Sequence, residues 1–455
     1  MTNNEHAGRQ IIDGVIWKQL LIFFFPILLG TFFQQFYNTI DAIVVGRFVG
    51  KEALASVGGS AGQIINLVVG FFTGLTAGAG VIISQFYGAR DAKGLNDSLH
   101  TAYAFSLVGS VLMTILGIWL SPVMLEMMNT PQELLAESTV YMRIYFGGIV
   151  FVFIYNIGAS ILRALGDSKR PLYYLIICCL LNIVLDLIMV LVFGLGVKGV
   201  AIATVIAQAV SAVLITRALM KSTDIYKLNL RKIRFHGQVL RSQLYIGLPG
   251  GFQSTMYSLS NILIQAAINA YGTDTTAAWA AYGKLDAIFW MVSSAFGVSI
   301  TTFVGQNYGA GKYDRIKKSV RICLGMDFVV SVLLTLFLMF LRVPLFRIFT
   351  TDAEVIRIGS RMLELITPCY VIFIFIEVLS GALRGISDVI IPMLLTLFGV
   401  CLLRIAWILF IVPISPSIET LLFNYPLTWV LTSILFISYY LYKKRRLGPP
   451  KVIRD

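Results

Sequence analysis

The chain has 455 residues, 57% hydrophobic and only 13% charged, with a formal net charge of +13. A composition this apolar excludes an assembly of soluble domains and leaves a polytopic membrane protein. The basic excess would suit nucleic acid, but its placement along the chain assigns it to membrane topology instead.

Residues 1–14 read as a polar tail, and the apolar run after them lacks a small-residue cleavage site and is too long for a leader core, so it is the first span. Segments long enough to cross a bilayer follow at 15–45, 54–85, 98–120, 138–162, 172–193 and 199–220, then at 243–270, 276–305, 320–341, 359–383, 390–412 and 421–442. The fold class is therefore all-α, with twelve transmembrane helices in two six-helix lobes, 15–220 and 243–442. A basic linker, 221–242, joins the lobes, and a basic tail occupies 443–455. The first span exceeds a straight crossing, and Pro26 supplies a bend by removing a backbone donor.

That first span carries Gln34, Tyr37, Asn38 and Asp41 near one helical face. The fifth span is apolar apart from Asn182 and Asp186, which stand four residues apart and so lie one above the other. A carboxylate facing lipid costs about 2.5–3.5 kcal/mol even on the lenient insertion scale, so Asp186 should face a protein interior or a wet cavity. Thr204 and Gln208 repeat the four-residue spacing on the sixth span, where small-residue helix packing is the competing explanation for Thr204. In the second lobe Glu377 and Arg404 are either a structural ion pair or a second polar site. The five cysteines all lie in apolar runs and read as small core residues.

Of the 36 Lys and Arg residues, 26 fall on the side of the N-terminus, 6 on the other and 4 within spans. Both termini are therefore expected in the cytoplasm of a cell-membrane protein, and a nucleic-acid partner is not expected. A shift of 221 residues lays the loop from Arg163 to Pro171 on that from Arg384 to Pro392, and Gln85-Phe-Tyr-Gly88 on Gln306-Asn-Tyr-Gly309. Six spans per copy is an even number, so the lobes enter the membrane in the same direction, related by an axis along its normal.

The repeat is also a control. Under the same shift Asn182 falls on Leu403 and Asp186 on Trp407, and Asn156 falls on Glu377. Polar residues required by the fold should occur in both lobes, so Asp41, Asn182 and Asp186 point to chemistry. Two carboxylates close together in a low dielectric either share a proton or hold a small cation with neighbouring oxygens. No nucleophile elbow, phosphate-binding loop or zinc-protease motif occurs, so no enzyme is expected.

From Trp17 to Tyr442 the chain resembles the multidrug and toxic compound extrusion family. The likeness is carried by Gln34-Gln-Phe-Tyr37-Asn-Thr-Ile-Asp41, Val45-Gly46-Arg47, the Gln85 and Gln306 turns and the loops at Arg163 and Arg384. The resemblance implies a cation-coupled antiporter that exports amphipathic, cationic organic compounds by alternating access, with proton or sodium as coupling ion and no cofactor. It also implies a coupling site, with sodium as one candidate occupant, of Asp41, Asn182, Asp186 and Thr204, a bend at Pro26, and a cavity lined by Gln34, Tyr37 and Asn156, to which position adds Asn38 and Gln208. The glutamate and aspartate that another branch uses in the second lobe fall near Tyr257 and Phe373, and Glu377 is one turn away. The expected partners are a small organic substrate and membrane lipids, with the chain a monomer. The alternative from the same two-lobed class is a flippase for a lipid-linked sugar or other lipid, which Arg143, Arg361 and Arg404 leave open.

Overall fold

The structure is a computed structural model that describes residues 11–222 and 225–447. Parts of both predicted tails and of the linker (1–10, 448–455 and 223–224) lie outside the described residues. Among the described residues all regular structure is helical. In chain order, α1 (Ile16–Val44) closes in a π-helical turn (Val45–Val49), and α2 (Lys51–Gly58), α3 (Ser60–Ala89), α4 (Ala92–Met127), α5 (Gln132–Gly147) and α6 (Ile149–Ala164) follow. Next come α7 (Lys169–Leu187) with a second π turn (Ile188–Val192) and α8 (Gly196–Met220). The second half comprises α9 (Gly237–Asn269), α10 (Thr273–Gly309), α11 (Tyr313–Phe340), α12 (Arg342–Arg347), α13 (Ala353–Ile366), α14 (Tyr370–Gly385), α15 (Ile390–Thr396), α16 (Leu403–Ala406), α17 (Ile418–Leu422) and α18 (Asn424–Lys444).

Ten stretches are long and apolar enough to cross a membrane, and α5 with α6, bent by 48° between them, form an eleventh. The seventh predicted span coincides with α9, whose 33 residues suffice in length but include Gln253, Ser258, Ser260, Asn261 and Gln265. With α9 the twelve predicted spans are all helical. Burial is inverted relative to a soluble helix: on α4, Val108, Leu112, Ile115 and Trp119 are exposed while Ser106, Ser110 and Ser121 are buried. Lipid satisfies the apolar stripe, and small polar residues let neighbouring helices approach.

The internal repeat extends to the backbone. The starts of α4, α5, α6 and α7 each precede those of α11, α13, α14 and α15 by the same 221 residues. Left-handed backbone occurs at Arg90 and its counterpart Gly311, and at Gly166 and its counterpart Ser387. Asp167 N–H donates to Leu162 O and Asp388 N–H to Leu383 O, each at 2.9 Å.

Among the described residues the chain divides into two compact units, one holding 11–13 and 25–251 and the other 14–24 with 252–447. The later two divisions fall inside a helix next to a proline, Pro26 in α1 and Pro249 in α9. In the first unit α3 crosses the start of α9 through glycines: a Cβ on Gly74 would meet the Gly250 carbonyl carbon at 2.5 Å, and one on Gly78 would clash with the Gly247 nitrogen. Phe72 and Phe153 stack beside them, centroids 3.4 Å apart. In the second unit the crossing of α10 and α14 uses Gly297, Gly381 and Gly385 in the same way, and Phe289 stacks on Tyr370 at 3.8 Å.

The linker is strapped to α4. Asn96 Nδ2 donates to Ile225 O at 2.9 Å and Lys227 N–H to Asn96 Oδ1 at 3.2 Å. Asn229 N–H donates to His100 Nε2 at 3.1 Å, while His100 Nδ1 lies 2.7 Å from Asn96 O, which fixes the proton on Nδ1 because a carbonyl only accepts. Further along, His236 N–H donates to Thr101 Oγ1 at 3.2 Å and His236 Nε2 faces Asp97 Oδ1 at 3.3 Å.

Candidate functional site

Asp41 stands in the last turn of α1 and Asp186 in the last turn of α7, each just before a π-helical turn. The two π turns touch. A π turn inserts one residue into the helical ladder, rotates the residues beyond it and is frequent at functional positions. Cys179 Sγ donates to Phe33 O at 3.8 Å, tying α7 to α1 about two turns before the acids.

Asp41 and Asp186 are close electrostatic neighbours. Asp186 is fully buried, and Asn182, Thr204 and Gln208 are buried with it. Asn182 Nδ2 donates to Thr204 Oγ1 at 3.5 Å, and Thr204 Oγ1 donates to Val200 O at 3.0 Å. That orientation turns Asn182 Oδ1 away from any donor. It is one of four buried oxygens in this cluster without a donor, with Asp41 Oδ1 and both oxygens of Asp186. Buried polar atoms are almost always paired, because an orphaned one costs about 1–3 kcal/mol and a charged one more. Four buried acceptors with nothing to accept can take up a proton or a small hard cation.

The other sequence candidates divide. Tyr37 is buried beside Asp41. Asn156 spends Nδ2 on Val152 O of its own helix at 2.9 Å, and Gln34 and Asn38 are exposed on α1. Tyr141 and Tyr145, absent from the sequence candidates, neighbour the same cluster: Tyr141 lies close to Asp41 and Asp186, and Tyr145 to Tyr37 and Tyr141. Their signal was present, since they stand four apart on α5 and share a face.

In the second unit Glu377 and Arg404 do not pair. The Glu377 carboxylate lies over Gly297, where a Cβ would clash with Oε1, and its charged neighbours are Arg384 and Asp327. Arg404 lies instead on the Tyr425 ring, 4.4 Å from its centroid, with Nη1 donating to Asn261 Oδ1 at 3.4 Å. The ion pair considered from the sequence is not formed, because α14 turns Glu377 toward α10 and away from Arg404. Sequence reasoning also missed the cage around Asp286. Tyr370 and Tyr282 donate to its Oδ1 at 2.5 and 3.2 Å, and Trp290 Nε1 donates to its Oδ2 at 2.6 Å.

A family model described as MatE matches residues 26–188 and again 249–409, one match in each half. The chain belongs to the MatE family. Among MatE relatives, it is 26% identical over 95% of both chains to the "Probable multidrug resistance protein YoeA" of Bacillus subtilis (strain 168). It is 29% identical to the "Probable multidrug resistance protein YpnP" of the same organism, covering 86% of this chain and 87% of that one. The fold superposes with a TM-score of 0.90, at 22% identity and over 97% of this chain and 98% of that one, on the "Outward-facing conformation of a multidrug resistance MATE family transporter of the MOP superfamily". This MatE chain thus shares the two-lobed helical architecture foreseen from its repeat.

Proposed function

We propose that the protein is a cation-coupled antiporter that exports amphipathic organic cations by alternating access, coupled through Asp41, Asn182, Asp186 and Thr204. The observation that carries this reading is the set of four donorless oxygens buried where α1, α7 and α8 meet. An empty acid pair is unstable, so it draws in a proton or a sodium ion as a transported co-substrate; the same negative charge attracts a cationic drug. Ion and drug then compete for one site, which is the simplest thermodynamic basis for exchange. The family membership and the relatives named as multidrug resistance proteins support export as the direction. The uneven Lys and Arg distribution supports a cell-membrane protein with both termini in the cytoplasm.

In reconstituted vesicles, Asp41→Asn and Asp186→Asn each reduce gradient-driven efflux of a cationic dye to background while the purified variants stay monodisperse. Efflux that persists in either variant defeats the assignment. Imposing a pH step and a sodium step separately on wild-type vesicles identifies the coupling ion as the one whose step drives efflux.

A further inference from the structure

The first unit gathers orphaned acceptors; the second contains an orphaned donor. Arg404 is 2% exposed, forms no ion pair among the described residues, and its Nε has no acceptor. Asp286 is within Coulomb range, but the hydroxyls of Tyr370 and Tyr282 and the indole of Trp290 occupy both its oxygens, so it does not contact the guanidinium. Asn261 takes only Nη1. A buried cation whose Nε is left bare is expensive, and the guanidinium fork matches a carboxylate.

The surroundings add an apolar compartment. Gln253 Nε2 donates to Thr396 Oγ1 at 2.9 Å, and eight residues further along both segments Arg404 donates to Asn261. The helices therefore run parallel and in step between these two contacts. Around the first of these contacts lies a cavity of about 180 Å³ lined by Phe252, Met256, Met393, Leu397 and Cys401. Its two polar lining side chains, Gln253 and Thr396, bond to each other, so the wall is otherwise apolar. Arg404 follows Cys401 by one turn, in a four-residue α segment between two π-helical ones (Leu397–Leu402 and Trp407–Ile411). Among the described residues of the second unit, π-helical backbone occurs only in the stretch that carries Arg404 and the cavity wall.

We infer that the second unit holds a recognition site for an amphipathic organic carboxylate, whose anionic head meets Arg404 and Asn261 and whose apolar body enters the cavity between α9 and α15. Under the 221-residue shift Arg404 corresponds to Ile183, next to Asn182 and three residues before Asp186, so the cation of this copy lies close to the amide and carboxylate of the other. The inference is independent of the coupling assignment, because binding is read without a gradient.

The test is equilibrium binding of 1-naphthaleneacetate and of its neutral amide to the full chain in nanodiscs of zwitterionic lipid, with empty nanodiscs subtracted. Wild type is expected to bind the carboxylate roughly tenfold or more tightly than the amide, as loss of a charged hydrogen bond predicts. Arg404→Gln brings the ratio near one, Arg404→Lys retains part of it, and Leu397→Trp, which fills the cavity, weakens both probes. Equal binding of acid and amide to wild type overturns the proposal, as does an undiminished preference in Arg404→Gln. 1-Naphthyl phosphate separates the anion classes: tight binding of it, with acid and amide indistinguishable, overturns the carboxylate. Should Arg404→Gln not remain monodisperse, the wild-type ratio and its reduction in Arg404→Lys decide alone.

Discussion

Asp186 illustrates how a residue can be legible in sequence and still be explained only by its surroundings. Its position in an apolar run marks it as costly in lipid, and that cost made both acids visible before any coordinates. The orientation of Asn182, which leaves a third acceptor pointing into the cluster, could not be read from spacing because it depends on Thr204 already being bound to Val200 O. An amide in place of one carboxylate adds the missing donor. Asp186→Asn is therefore expected to raise thermal stability by about 1 kcal/mol while transport is lost; a lower unfolding midpoint in detergent would contradict this account. The choice between an ion pair of Glu377 with Arg404 and a second polar site stayed open in the sequence for the opposite reason, since spacing places both on helices but not which neighbour each helix turns them toward. Tyr370 reaches Asp286 from 84 residues away, a contact no local pattern encodes. Arg90 gives a simpler case: it adopts φ 57° where its repeat counterpart is Gly311. Arg90→Gly should stabilise the protein by roughly 0.5–1 kcal/mol, read as a raised midpoint.

Helices, as elements, were foreseen in number but not in detail. Apolar runs mark the hydrocarbon thickness, whereas the helices continue into the interface: the span expected at 98–120 is Ala92–Met127 in the structure. The span expected as continuous over 138–162 is broken by 48° between α5 and α6. The break was hard to read because the two copies make it with different residues: Gly147-Gly148 in one, and Pro368-Cys369, within a 3-10 turn (Thr367–Cys369), in the other. What they share is a threonine side chain that donates to a carbonyl at the break. Thr114 Oγ1 donates to Phe146 O at 2.9 Å, and Thr335 Oγ1 donates to Thr367 O at 3.0 Å, the same positions 221 residues on. Thr114→Val and Thr335→Val keep the shape but remove one partly buried side-chain hydrogen bond each. Each should lower stability by about 1 kcal/mol, with additive effects in the double variant, measured by thermal unfolding.

Across the whole molecule, the repeat preserves turns, caps and helix starts while its two copies differ in charge at the buried positions. Along the one helix that holds Asp186 in the first copy and Arg404 in the second, the same framework tolerates a carboxylate or an arginine, so architecture and chemistry are separable there. The expected topology is checked by fusing a reporter that fluoresces only in the cytoplasm after Arg446: bright cells support the cytoplasmic C-terminus, and dark cells with full-length protein reject it. The strap on α4 has its own consequence. It grips the chain on both sides of Ile233 and Arg234, through Asn96 and His100 on one side and through Thr101 and Asp97 on the other. Severing the peptide bond between those two residues should leave neither end adrift, so two separately produced fragments should copurify, and each half could be isotope-labelled alone for spectroscopy of an otherwise intact transporter.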